Sequence, residues 1–128
     1  KSKSIMQLTP SFNLIEFACH DGQNVPTELI PNVQELANQL QVIRDYIGEP
    51  LRINSGYRSP SHNKSVGGKK NSYHLKAMAA DLTTKNKTPK QLAAIIEKLI
   101  AEKKIKQGGI GIYKGFVHYD CRNSKARW

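Results

Sequence analysis

Apolar residues recur at three- and four-residue spacing through Val33, Leu36, Leu40, Ile43 and Ile47. That period predicts an amphipathic helix opening at Asn32 and closing at Gly48, where a C-terminal cap belongs. Residues 25–30 add a turn ahead of Pro31. A second helix follows Thr88-Pro89, a cap with proline at the first helical position, and runs to about residue 103. Its Leu92, Ile95, Ile96, Leu99 and Ile100 point inward, with lysines outside. Phe12, Ile15 and Phe17 predict a short helix from Ser11 through Ala18. The alternation in LRINS (51–55) predicts a strand, and KAMAADLTT (76–84) reads as a buried one. GGIGIY (108–113) and FVHYDCR (116–122) read as a β-hairpin turning at Lys114-Gly115.

The order of these elements predicts an α+β fold, a small antiparallel sheet with flanking helices. At 128 residues the chain has the length of one domain. Residues 1–10 read as a flexible lead-in and residues 11–128 as the domain. Between the first strand and the buried one lies GYRSPSHNKSVGGKKNS (56–72), rich in Gly, Ser, Asn and Lys. Seventeen residues without regular structure are unusual inside a compact domain, so this stretch is expected to be a functional loop.

Charge narrows the function classes only a little. Twenty Lys+Arg against ten Asp+Glu give a formal net charge of +10, a field that attracts polyanions such as nucleic acid or an anionic cell wall. The lysines are scattered, and no aromatic-rich basic strand of the RNA-binding kind is present, so no nucleic-acid partner is expected. No apolar run approaches the roughly 18 residues of a membrane span. The sequence starts at Lys1 rather than Met and shows no signal-peptide pattern, as expected of a mature or excised form. Cys19 and Cys121 do not form a disulfide framework and are expected to be two free, partly buried thiols, with one long-range bridge as the alternative. A monomer is expected.

The candidate chemistry lies with the histidines. His74 and Asp81 sit in SYHLKAMAADL (72–82), and His118 sits in the final hairpin, sharing a strand face with Asp120. Two histidines and one carboxylate form a standard donor set for catalytic zinc, which leaves a position for water. Seven residues of strand would span roughly 23 Å, so the chain must turn between His74 and Asp81 for the two to meet. On spacing alone, a lone His-x6-Asp is more often coincidence.

The surrounding residues add to this. Ser72-x-His74-x-x-Ala77-x-Ala79-x-Asp81 resembles the SxHxxGxAxD motif of the zinc D-Ala-D-Ala carboxypeptidases and related dipeptidases. SGYRSPSHN (55–63), IEFACHDG (15–22) and GGIGIYKGFVHYDCR (108–122), down to the late ARW (126–128), resemble the branch containing many phage endolysins and bacterial cell-wall peptidases. The resemblance runs in order from about residue 12 to 128. It implies Zn2+ held by His74, Asp81 and His118 in a hedgehog-like α+β fold. It also implies hydrolysis of peptide bonds in peptidoglycan stem peptides or cross-links, by a D,D-carboxypeptidase or an endopeptidase. The place implied is the bacterial cell envelope, periplasmic or extracellular, or a phage-encoded lysin. The hedgehog domain shows that such a site can persist in a module not known for peptidase activity, so a non-catalytic wall-binding or signalling module is the alternative.

The same resemblance associates Arg58 with the substrate's carboxylate end or the scissile carbonyl; the competing role is a structural arginine tying the loop to a carboxylate. Ser72 is a candidate substrate-side residue that either bonds near the metal or shapes the turn. His62 and Asn63 are expected to order the loop, the competing roles being a metal ligand or the support of one. For the general base, relatives carry an acid three residues before the last ligand, and some a histidine two before it; here those positions are Gly115 and Phe116. Sorting the ten acids by element leaves Asp120 as the candidate base. Its competing roles are to orient a ligand or to steady Arg58. Ala77 replaces the motif glycine, which strains the backbone if that position needs a positive φ.

Overall fold

The computed structural model describes residues 6–128. The elements in chain order are β1 (Gln7–Thr9), β2 (Phe12–Asn13), α1 (Ile30–Ile47), β3 (Leu51–Ser55), α2 (Pro60–Ser65), β4 (Ala79–Thr84), α3 (Pro89–Ala101), β5 (Gly109–Ile112), β6 (Val117–Asp120) and β7 (Ala126–Arg127). Three 3-10 turns, at Leu14–Phe17, Thr27–Leu29 and Tyr73–Lys76, fill the connections. β3, β4, β6, β5 and β7 form one sheet in that order, antiparallel except for the parallel β5–β7 pair. The expected α+β class holds.

The two long helices follow from their apolar stripes. α1 buries Val33, Leu36, Ala37, Leu40 and Ile43. α3 buries Leu92, Ala93, Ile96, Leu99 and Ile100. They pack against each other and against the sheet. The strand register sorts residues onto two faces. Ala80 and Leu82 of β4 pair with Tyr119 and Val117 of β6, and Ile110 of β5 pairs with Tyr119; all are buried in the core. The alternate positions Ala79, Asp81, His118, Asp120, Gly109 and Gly111 therefore share the opposite face. Asp81 lies directly across from His118.

Several elements differ from the sequence expectation. The lead-in expected over residues 1–10 is part of the fold from Gln7 onward, because β1 pairs with β2 and packs on α1; residues 1–5 lie outside the described residues. The helix expected from Ser11 is instead β2 followed by the 3-10 turn Leu14–Phe17. α1 begins two residues earlier than Asn32, with Pro31 in its first turn. The 56–72 stretch contains α2, capped by the Ser59 hydroxyl, which accepts from the His62 N–H. The strand expected from residue 76 starts at Ala79. β7 was not foreseen, because two residues carry no readable period.

α3 is held at its start by a reciprocal pair. The Thr88 hydroxyl accepts from the Gln91 N–H at 3.1 Å, and the Gln91 side-chain oxygen accepts from the Thr88 N–H at 2.9 Å. Thr88→Ala is expected to cost about 1 kcal/mol. In urea denaturation this appears as a lower midpoint with an unchanged slope.

Candidate metal centre

His74, Asp81 and His118 reach this site by three different routes. Asp81 is on central strand β4, and His118 faces it from β6. His74 is on the 3-10 turn Tyr73–Lys76, which is capped by Ser72: its hydroxyl accepts from the His74 N–H at 3.2 Å. That turn ends at Ala77, in the left-handed region at φ 57°. The left-handed residue supplies the turn that the spacing demanded, bringing His74 back over Asp81. An L-residue there costs roughly 1–2 kcal/mol, so the Ala77 methyl sits on a strained backbone.

His74 Nε2 is 3.3 Å from Asp81 Oδ1, and His118 Nδ1 is 3.3 Å from the same oxygen. The donor atoms of the three buried residues all lie within 4.8 Å of one another. Each imidazole is oriented by its other nitrogen. His74 Nδ1 donates to the Gly56 carbonyl at 2.7 Å. A carbonyl only accepts, so this bond leaves Nε2 free of a proton in the neutral ring. His118 Nε2 donates to Asp120 Oδ2 at 2.6 Å, leaving Nδ1 as the lone-pair nitrogen. Two bare imidazole nitrogens and a carboxylate oxygen converge on one point, which fits the donor chemistry of Zn2+.

Asp120 lies behind His118. It is fully buried, and both its oxygens are engaged. Arg122 clamps it in a fork, Nε to Oδ1 and Nη2 to Oδ2, each at 2.8 Å. The backbone N–H groups of Gly109 and Arg122 also donate to Oδ1. Gly109 has to be small: a Cβ there would stand 2.5 Å from Asp120 Oδ2. This geometry differs from that expected of a base, which needs a free oxygen facing the reacting water. Its Oδ2 instead holds the His118 ring.

Arg58 leans over the donor set, with Nη2 3.7 Å from Asp81 Oδ2 and Nη1 donating to the Asn63 side-chain oxygen at 3.1 Å. Asn63 in turn donates to the Lys69 carbonyl, so it orders the loop as expected. Sequence reasoning missed Arg122, the Gly56 carbonyl and Trp128. The Trp128 ring sits 4.9 Å from the His118 ring, and its indole N–H donates to the Tyr113 hydroxyl at 2.6 Å. Arg122 had a signal, since it continues the His118-Asp120 alternation by two residues; Trp128 had one in the family-like ARW, and the carbonyl had none.

Burial pushes the Asp81 carboxyl up, but the His118 and His74 rings beside it outweigh that effect and bring it down to about 2. Burial likewise opposes the charged Asp120, and the Arg122 and His118 bonds hold it well below the usual carboxylate range. Burial works against a charged His118, yet Asp120 and Asp81 raise it above its ordinary 6.5. The two aspartates, with folded values below the unfolded 3.8, contribute stability that is present above that value and is lost as the pH falls through the folded one. His118 contributes stability that is complete below 6.5 and is lost as the pH rises through its folded value. Metal-free protein is therefore expected to melt at its highest temperature between about pH 4 and 6.5. A scan of melting temperature from acid to alkaline pH checks this, and Asp120→Asn flattens both limbs.

No curated protein matches the chain. Among the described residues, no helix is long and apolar enough to cross a membrane. The family model described as Peptidase M15 matches residues 10–120, a span that holds all three converging donors, Arg58 and Asp120. With a match over most of its length, the chain belongs to the peptidase M15 family.

Proposed function

We propose that the protein is a zinc-dependent peptidase that hydrolyses peptide bonds in peptidoglycan stem peptides or cross-links. The convergence of His74 Nε2, Asp81 Oδ1 and His118 Nδ1 carries this reading. Zinc bound by these atoms supplies a Lewis acid and an activated water. The chain's own groups do the rest. Asp120, clamped by Arg122, fixes the His118 ring and its tautomer. Arg58 presents a planar fork beside the donor set, suited to a substrate carboxylate or to the oxygen of the scissile carbonyl. Ser72 shapes the turn that carries His74. The net charge of +10 favours retention on an anionic wall.

Neither acid on the two central strands is free to act as base: Asp81 is in the donor set and Asp120 is fully engaged. That observation favours a second reading, a zinc-holding module that binds wall peptides without cutting them. Hydrolysis of a defined muropeptide, followed by chromatography of the products, separates the two. Cleavage that is lost on chelation and restored by zinc supports the peptidase, and the product pattern distinguishes carboxypeptidase from endopeptidase action. Full activity after exhaustive chelation overturns the zinc reading. Muropeptide binding with no products establishes the module.

Asp120→Asn tests the positioning role. It is expected to weaken zinc binding roughly 10–100-fold, with kcat recovering at saturating zinc. A kcat that stays low at full zinc occupancy assigns Asp120 to proton transfer instead.

A further inference from the structure

A second group of donors lies outside the site just described. Cys19, Asp21 and His62 offer a sulfur, a carboxylate oxygen and an imidazole nitrogen, all within 4.8 Å of one another. Two segments about forty residues apart in sequence bring them together. The 19–23 turn is closed by the Cys19 N–H to the Gln23 carbonyl and the Gly22 N–H to the Cys19 carbonyl. Asp21 Oδ1 accepts from the Gln23 N–H at 3.0 Å, which fixes its carboxylate beside the cysteine. His62 comes from α2.

Ser59 ties the segments together. Its backbone N–H donates to Cys19 Sγ at 3.3 Å, and its hydroxyl donates to Asp21 Oδ2 at 2.6 Å. An N–H aimed at a sulfur and a hydroxyl aimed at a carboxylate are the outer contacts that orient metal ligands and offset their charge. Cys19 is only 4 % exposed, whereas Asp21 is exposed and His62 half-exposed, so the sulfur forms a floor with an open approach above it.

We propose that Cys19, Asp21 and His62 bind a second Zn2+-type cation, distinct from the one at His74, Asp81 and His118. A thiolate, an imidazole and a carboxylate, with water completing the set, match the tetrahedral preference of zinc. Binding releases the Cys19 thiol proton to solvent and leaves the oxidation state of the sulfur unchanged. The role is structural. The ion staples the 19–23 turn to the segment that begins one residue after Arg58, and so fixes the backbone from which Arg58 extends. Cys121 does not compete for it: burial pushes that thiol up to about 11, and it donates to the Met78 carbonyl. The proposal is independent of the peptidase reading, because it concerns other residues.

Cobalt titration of the full chain tests it, since the His74, Asp81 and His118 set contains no sulfur. Two equivalents of Co2+ are expected, one of them accompanied by a near-ultraviolet thiolate-to-cobalt absorption. His118→Ala should retain that absorption while the stoichiometry falls from two to one. Cys19→Ser should abolish it with the same loss of one equivalent, and His62→Ala, on a short surface helix, gives the loss without touching the buried thiol. A single equivalent in the unaltered chain with no sulfur absorption overturns the proposal, as does an absorption that survives Cys19→Ser. In that case the Ser59 network is only a cap for α2.

Discussion

The antiparallel register of β4 against β6 is the constraint on which the site depends. It sets Asp81 directly across from His118 and Ala79 across from Asp120. A slip of one residue would turn Asp81 and His118 into the helix-packed core and bring Ala80, Leu82, Val117 and Tyr119 out. The core thus enforces the site. Burial of the apolar positions against α1 and α3 fixes the register, and the register places the donors. The small residues of β5 complete the arrangement, because only Gly109 leaves room for the Asp120 carboxylate and the Arg122 fork beneath His118.

A fully buried carboxylate is costly unless it is paired and hydrogen-bonded. Asp120 meets that condition with the Arg122 fork, two backbone N–H groups and His118. Taking one partner from such a pair typically costs about 3–5 kcal/mol. This is more than a lone orienting hydrogen bond is worth, and it explains why the network reads as a rigid support for His118. The support extends outward. Arg122 stacks 4.4 Å from the Tyr73 ring, and Tyr73 belongs to the turn that carries His74. One guanidinium therefore braces both histidines, one through Asp120 and the other through the adjacent tyrosine.

Much of the fold was legible because its signals are periodic. The helical stripes from Val33 to Ile47 and from Leu92 to Ile100, the cap at Thr88-Pro89 and the final hairpin all appear where the pattern places them. What was not legible is local and short. Two-residue strands have no period, and 3-10 turns such as Leu14–Phe17 imitate one turn of an α-helix in their apolar spacing. The donor set was legible as residue types in family-like segments, but not as a geometry: the turn between His74 and Asp81 depends on an alanine with φ at 57°, which no propensity predicts. The contacts of Asp120 were not legible for a related reason. Strand alternation puts it on the His118 face, but alternation says nothing about what else reaches its oxygens, and Arg122 and Gly109 decide that.

The segment from Gly56 to Ser59 joins the parts that the sequence shows separately. The Gly56 carbonyl accepts from His74 Nδ1, the Tyr57 N–H donates to the Phe17 carbonyl, the Arg58 N–H donates to the His74 carbonyl, and Ser59 holds Cys19 and Asp21. Four consecutive residues thus tie the N-terminal segment to the histidine turn and point Arg58 at Asp81. An element with so many backbone bonds cannot move one contact alone. A shift at Phe17 or Cys19 is transmitted to the orientation of His74 through the Gly56 carbonyl and to Arg58 through its own backbone. The strand register supplies the floor of the site, and this short connection supplies its wall. The two are linked through His74, the one donor that neither of the central strands carries.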